Sequence, residues 1–170
     1  FWKANGFTCV EKGDKVNKAS GERSALIIKP VSKSFEKLAD LLACIFQQEN
    51  HVPPTSLDEL PTSLKALYTK RLNGFTRGIK SLEQTAYALA CLLNTLEFQH
   101  LENSLNRFVP YSAEGTPQAL PLSRQLAFHL HPLDKPSLRN IFGCTNNKAL
   151  VQTLREYTKH LLFEATFANG

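Results

Sequence analysis

The chain has no methionine anywhere in its 170 residues, position 1 included, so it is expected to be a piece of a longer polypeptide. Its four cysteines, Cys9, Cys44, Cys91 and Cys144, lie far apart. No C-x-x-C pair joins them and no secretory leader precedes them, which argues against a disulfide scaffold and for a reduced, cytoplasmic setting. The longest apolar run, Ala86 to Leu93, has eight residues; a membrane helix needs about 20. A G-x-x-x-x-G-K-[ST] phosphate loop is missing, so ATP has no cradle here. Neither a Ser-His-Asp nor a Cys-His arrangement has a sequence signature, and no catalytic residue is assigned. His129-Leu130-His131 brings two imidazoles together, but no cysteine or third histidine stands at zinc-finger spacing, so no metal site is assigned.

What is present is ordinary for a soluble globular protein: 42% hydrophobic and 21% charged residues with a net charge of +5. Six basic residues face three acidic ones over Phe1–Ser32, and fourteen face twelve from Lys33 onward. Two runs rich in β-branched and aromatic residues, Phe7–Glu11 and Ala25–Lys29, are joined by a polar stretch containing Gly13, Asn17, Ser20 and Gly21, which predicts a β-hairpin. A lone hairpin is marginal in water, so this one is expected to complete a larger sheet.

Beyond Pro30 the periodicity turns helical. Ser34 is expected to cap a helix with Phe35, Leu38, Leu41, Leu42, Ile45 and Phe46 on one stripe, ending near Gln48. Pro53-Pro54 makes a connector, and Ser56-Leu57-Asp58-Glu59 fits a capping box. A helix is expected from about Ser63 to Asn73, with Leu64, Leu67, Tyr68 and Leu72 inward and Gly74 as its stop. From Lys80 to Leu96 the chain is apolar nearly all round, the mark of a helix at the centre of a bundle. Leu101 and Leu105 extend or restart a helix toward Pro110. The proline-rich Tyr111–Pro136 is expected to wander, with one short helix near Leu122–His129. Short and long helices should follow over Pro136–Phe142 and from Thr145 or Asn146 to Phe167. Glu156, His160 and Glu164 fall four apart on the last of these, a spacing for exposed ion pairs. The fold class is mainly α with an N-terminal β-hairpin (α+β), divided into residues 1–32 and a helical domain 33–170.

The densest charge cluster is Lys65, Lys70, Arg71, Arg77 and Lys80, five cations with no acid among them and with Tyr68 and Phe75 interleaved. Such a set neutralises phosphates, and an exposed aromatic stacks on unpaired bases. Tyr68, next to Leu67 on the apolar stripe, is expected to face the core instead. A solvated helix face with no ligand is the competing account. A second set, Lys12, Lys15, Lys18 and Arg23, surrounds the hairpin loop, where a lysine-rich surface loop is the competing account.

Two segments carry a resemblance. Phe1-Trp2-Lys3-Ala4-Asn5-Gly6-Phe7 resembles the last helix turn and following strand of the GNAT acetyltransferases, an aromatic residue, three variable residues, then Gly-Phe. Ala19-Ser20-Gly21-Glu22-Arg23-Ser24-Ala25-Leu26-Ile27-Ile28-Lys29-Pro30 resembles the small-Gly-Glu-x-Ser loop and final strand of one branch, the tRNA(Met) cytidine acetyltransferases and their RNA cytidine acetyltransferase relatives. The likeness covers the first 31 residues well and the rest loosely.

It implies that residues 1–32 close a GNAT sheet and that the helical region is a tRNA-binding tail. The parent enzyme would N4-acetylate the wobble cytidine of elongator tRNA-Met with acetyl-CoA and ATP, with helicase-like and GNAT modules upstream; this chain alone would be inactive and would bind neither cofactor. Lys65, Lys70, Arg71, Arg77, Lys80, Lys15, Lys18 and Arg23 are then the RNA-binding candidates. Trp2 stands where many GNAT enzymes have a tyrosine that protonates the CoA thiolate, and an indole N–H cannot replace it. Ala4 occupies a slot where the family tends to carry arginine, leaving Lys3 as the nearby cation, either a CoA phosphate contact or a solvated side chain. Two other readings stand beside this one: a structural or oligomerisation module without RNA contact, and a GNAT enzyme acting on protein amines.

Overall fold

The computed structural model describes residues 1–16, 18–21, 23–96, 105, 107–108 and 122–167, with the side chains of Lys3, residues 11–16, Arg23, Leu122 and residues 165–167 left aside. The chain is mainly helical with an N-terminal two-stranded antiparallel hairpin. It divides into two compact units, Phe1–Pro53 and Pro54–Gly170. The first helix groups with the hairpin in the first of these units.

In the first unit β1 (Thr8–Val16) pairs with β2 (Arg23–Ile28). Both strands run further toward the turn than their apolar cores suggest. Gly13, expected in the loop, lies in β1, inside the stretch between Lys12 and Val16 where the register slips. A glycine in a strand suits such an irregularity because it has no side chain to place on either face. α1 (Lys33–His51) packs on β1. Its cap is Ser32, whose side chain accepts from the Phe35 N–H, not Ser34. Only part of the expected stripe is enclosed: Ile45 and Phe46 are buried, while Phe35, Leu38 and Leu41 are about 40% exposed.

The second unit opens with a single 3-10 turn, Leu57–Glu59, capped by Ser56. Helices α2 (Thr62–Thr76), α3 (Ala86–Thr95), α4 (Leu122–Leu130), α5 (Lys135–Ile141) and α6 (Asn147–Phe167) follow. α2 has no side-chain cap, since Pro61 occupies the cap position in place of the expected Thr62 or Ser63. Asn146 Oδ1 accepts from the Ala149 N–H and so starts α6.

Every residue of α3 from Ala86 to Leu93 is buried, as its all-round apolar sequence demands. The packing closes into a ring, α3 on α4, α4 on α5, α5 on α6, α6 on α2, and α2 back on α3. Thr95 at the end of α3 ties down the 3-10 turn, its hydroxyl accepting from the Leu57 N–H at 2.8 Å. Lys135 on α5 bonds Glu83 just ahead of α3. Burial pushes the Glu83 carboxyl up, but the bonds from Lys135, its own backbone and Ser81 outweigh it and leave it below the ordinary range. Among the described residues no helix is long and apolar enough to cross a membrane. The expected helix from Leu101 toward Pro110 and the wandering segment to Pro121 fall largely outside the described residues, though Leu105 is helical and buried.

His131 follows α4 and meets the Tyr87 ring edge-on, with centroids 5.1 Å apart. Burial disfavours its charged form and lowers its pKa from 6.5. The unfolded chain therefore takes up a proton near that pH that the folded chain resists, so stability present above it is lost as pH falls. All four tyrosines lie in the second unit, whereas the single tryptophan lies in the first. Urea midpoints read from near-UV tyrosine dichroism should fall between about pH 7 and pH 5, and His131→Gln should flatten that fall relative to the parent chain.

Candidate nucleic-acid interface

α2 sorts the sequence cluster by rotation. Leu64, Tyr68, Leu72 and Phe75 form the buried stripe. Lys70 and Arg77, seven residues apart, differ by only about 20° around the axis and point away from that stripe. Lys65 lies about 140° from Lys70 in one direction and Arg71 about 100° in the other, at the two margins of the core. Lys65 is bound to the Asp58 carboxylate on the 3-10 turn. Arg71 is half-buried, with its guanidinium carbon 5.7 Å from the Tyr68 ring centroid.

Lys80 rejoins the outward pair. The chain reverses after α2 through Gly78, at φ +77°, and both Ile79 and Lys80 donate backbone N–H bonds to the Gly74 carbonyl. The Lys80 stem then crosses Gly74 so closely that a Cβ there would stand 2.9 Å from Lys80 Cγ. Gly74 sits one turn beyond Lys70 and three residues before Arg77, so Lys70, Arg77 and Lys80 share one side of the helix end. Among the described residues none of the three makes an ion pair.

The interleaved aromatics do not accompany them. Tyr68 is fully buried, as expected, and Phe75 is fully buried as well, so neither interleaved ring is exposed. The reason is periodic: Phe75 lies seven residues beyond Tyr68 and three beyond Leu72, on the stripe that packs inward. Neither ring is available for a base at this end of α2.

A cation missed in sequence takes the place beside them. Arg155, on α6, lays its guanidinium over the Phe75 ring at 5.4 Å and against Gly78, whose added Cβ would lie 3.8 Å from the guanidinium carbon. Nothing in the local sequence announces this contact, because it joins residues 77 positions apart through the α2–α6 packing. On α6, Lys148, Arg155 and Lys159 follow at steps of seven and four residues and so form one stripe. Lys148 and Arg155 also line an open hollow of about 530 Å³.

The same helix carries a second feature. Arg107, Phe108, Glu156, Lys159, His160 and Phe163 line an open groove of about 580 Å³. Phe108 packs against the Tyr157 and His160 rings with centroids 5.4 and 5.9 Å apart. Phe163 is 62% exposed. His160 Nε2 is 3.1 Å from Glu164 Oε1, the ion-pair spacing anticipated in sequence, and Gln152 Nε2 donates to Glu156 Oε1 at 3.1 Å.

The remaining candidates belong to the first unit. Lys18 is exposed beside the hairpin turn, while the side chains of Lys3, Lys15 and Arg23 and the whole of Glu22 lie outside the described residues. Trp2 stands edge-on between Phe1 and Phe7, each pair of centroids 5.2 Å apart. His129 and His131 part company: His129 Nδ1 is 3.3 Å from Asp134 Oδ2, while His131 faces Tyr87. Among the described residues no group of three or more His, Cys, Asp or Glu side chains could hold a metal ion. Comparison of the chain with protein-family models, with curated proteins and with solved structures found no match.

Gly78 should prove the weak point of this corner. A β-branched residue at φ +77° is strained, so Gly78→Val should cost about 1–2 kcal/mol of the second unit's stability in urea unfolding, and Gly78→Asn, which tolerates the left-handed region, clearly less.

Proposed function

We propose that the second unit binds single-stranded or loop RNA through the outward cations of α2 and the turn after it, and that the chain is the C-terminal tRNA-binding region of an enzyme that N4-acetylates the wobble cytidine of elongator tRNA-Met. The observation that carries the RNA part is the grouping of exposed Lys70 and Arg77 with half-buried Lys80, whose stem crosses Gly74 between them, with no ion-pair partner among the described residues. Three unneutralised cations within about two helical turns favour a polyanion, and their proximity to Arg155 enlarges the positive field. The acetyltransferase part rests on the likeness of Phe1–Phe7 and Ala19–Pro30 to the family. It is supported by a hairpin that lies where that likeness requires strands.

Within this reading acetyl-CoA and ATP belong to the parent's other modules, and the setting is cytoplasmic. Trp2 offers only an indole N–H, packed between two phenyl rings, and Ala4 offers no charge for a phosphate. These residues do not fit a complete CoA site. The chain's own contribution is to hold the RNA.

A second reading has its own observation. Besides the outer stripe of α1, Phe1, Trp2, Leu26 and Val31 are all more than half exposed. Exposed apolar surface of this kind suits a structural or oligomerisation module. Concentration-dependent sedimentation that Leu38→Lys with Leu41→Lys abolishes, in a chain that retains no tRNA, would favour it.

For the RNA reading the test is salt dependence. Lys70→Gln with Arg77→Gln should weaken tRNA retention several-fold in low salt and make the slope of log K against log salt shallower by about 1.4, two contacts at about 0.7 each. Lys65→Gln, already committed to Asp58, should change neither. Unaltered affinity and slope in the double variant would remove this face from the interface.

A further inference from the structure

We infer that the groove on α6 is a nucleotide pocket for the same single-stranded RNA, in which one unpaired base stacks on Phe163 while Arg107 and Lys159 hold the adjoining phosphate. The inference rests on the RNA reading above and adds a place for the base that α2 cannot supply. Binding of unpaired RNA needs both a cationic track and a stacking ring, and the aromatics interleaved with the α2 cations are buried in the core.

The groove combines what α2 separates. Glu156, Lys159, His160 and Phe163 fall at i, i+3, i+4 and i+7 and therefore share one face of α6. Phe163 presents an exposed ring one turn beyond Lys159, and Arg107 adds a cation to the same lining. Phe108 packs against the Tyr157 and His160 rings and adds an apolar ring to the lining. The space of about 580 Å³ is ample for one nucleotide and its phosphate.

Glu156 gives the pocket polarity. Its carboxylate repels phosphate, while an acceptor so placed receives the exocyclic amine of a cytosine or purine edge. Gln152 holds one of its oxygens and leaves acceptor capacity over. The phosphate is thereby directed to the Arg107 and Lys159 side. The stripe Lys148, Arg155 and Lys159 connects the pocket with the Gly78 corner, where Arg155 meets the end of α2. The strand's path is a basic track that ends in an aromatic socket.

The test uses the full chain and a 12-nucleotide oligo(rC) at pH 7.5, which supplies unpaired bases with an exocyclic amine. Phe163→Ala should lower affinity about 5- to 150-fold, the range for losing one base–aromatic stack, with the salt slope unchanged. Phe163→Trp in a Trp2→Phe background should keep the affinity and report binding by quenching of the indole emission. Arg107→Gln with Lys159→Gln should weaken binding and flatten the salt slope. The exposure of Phe163 makes loss of folding in these variants unnecessary, and far-UV dichroism checks it. If Phe163→Ala binds like the parent and Phe163→Trp shows no emission change, while Lys70→Gln with Arg77→Gln still weakens binding, the pocket is refuted and the α2 reading stands. If the parent chain retains neither oligo(rC) nor tRNA at low salt, both fall together.

Discussion

A helix that is apolar around its whole circumference must be enclosed, and α3 imposes that requirement on the second unit. Its eight consecutive buried residues leave Ala86–Leu93 no solvent face, so the elements packed on it must each turn apolar side chains inward. α2, α4 and the 3-10 turn Leu57–Glu59 pack on it, and α5 and α6 complete the ring between α4 and α2. What reaches water is then decided for those helices by period alone. On α2 the exposed residues include Lys65, Lys70 and Asn73, with Arg77 at its C-cap; on α6 they include Lys148, Gln152, Glu156, Lys159 and Phe163. The candidate interface is thus the complement of the core, its composition fixed by which positions enclosure leaves over.

The first unit lacks an equivalent centre. Among the described residues it buries only Ala39, Ile45 and Phe46. Although α1 packs on β1, few of the described side chains there are fully enclosed. Leu26 on β2 and the Phe35, Leu38 and Leu41 stripe on α1 lie ready for an apolar surface that these residues do not themselves provide. That imbalance is the physical content behind both functional readings of this unit, a partner sheet in one and a second copy in the other.

Sequence periodicity made the helices legible wherever burial is one-sided or total. α3 and α6 follow from their apolar spacing, and the hairpin from its β-branched runs. Ends were harder, because several small polar residues compete at each boundary. Ser32 caps α1 although Ser34 also precedes the apolar stripe, and α2 begins behind Pro61 with no side-chain cap. The charge cluster was legible as a composition and misleading as a surface. Residues 65 to 80 are contiguous in the chain, but rotation distributes them over three sides of a cylinder and turns Phe75 inward. Arg155 was invisible for a different reason: its place beside Gly78 is a tertiary contact with no local signature. The groove residues were all in view as letters, and the His160–Glu164 pairing was anticipated, yet Phe108 joins that face through packing against Tyr157 and His160, a contact with no local signature.

Separating charge on α2 from aromatic surface on α6 has an energetic consequence. Cations act on phosphates over about a Debye length, roughly 8–10 Å in physiological salt, and their contribution falls as salt rises. Stacking acts only at contact and is far less sensitive to salt, because it displaces no counterions. A unit with both, joined by Arg155 and Lys159, could gather RNA from a distance by the first and fix its position by the second. A unit carrying charge alone would bind any polyanion, duplex included. In the proposed pocket the exposed ring of Phe163 would discriminate against a duplex, since a paired and stacked base has no face to offer it.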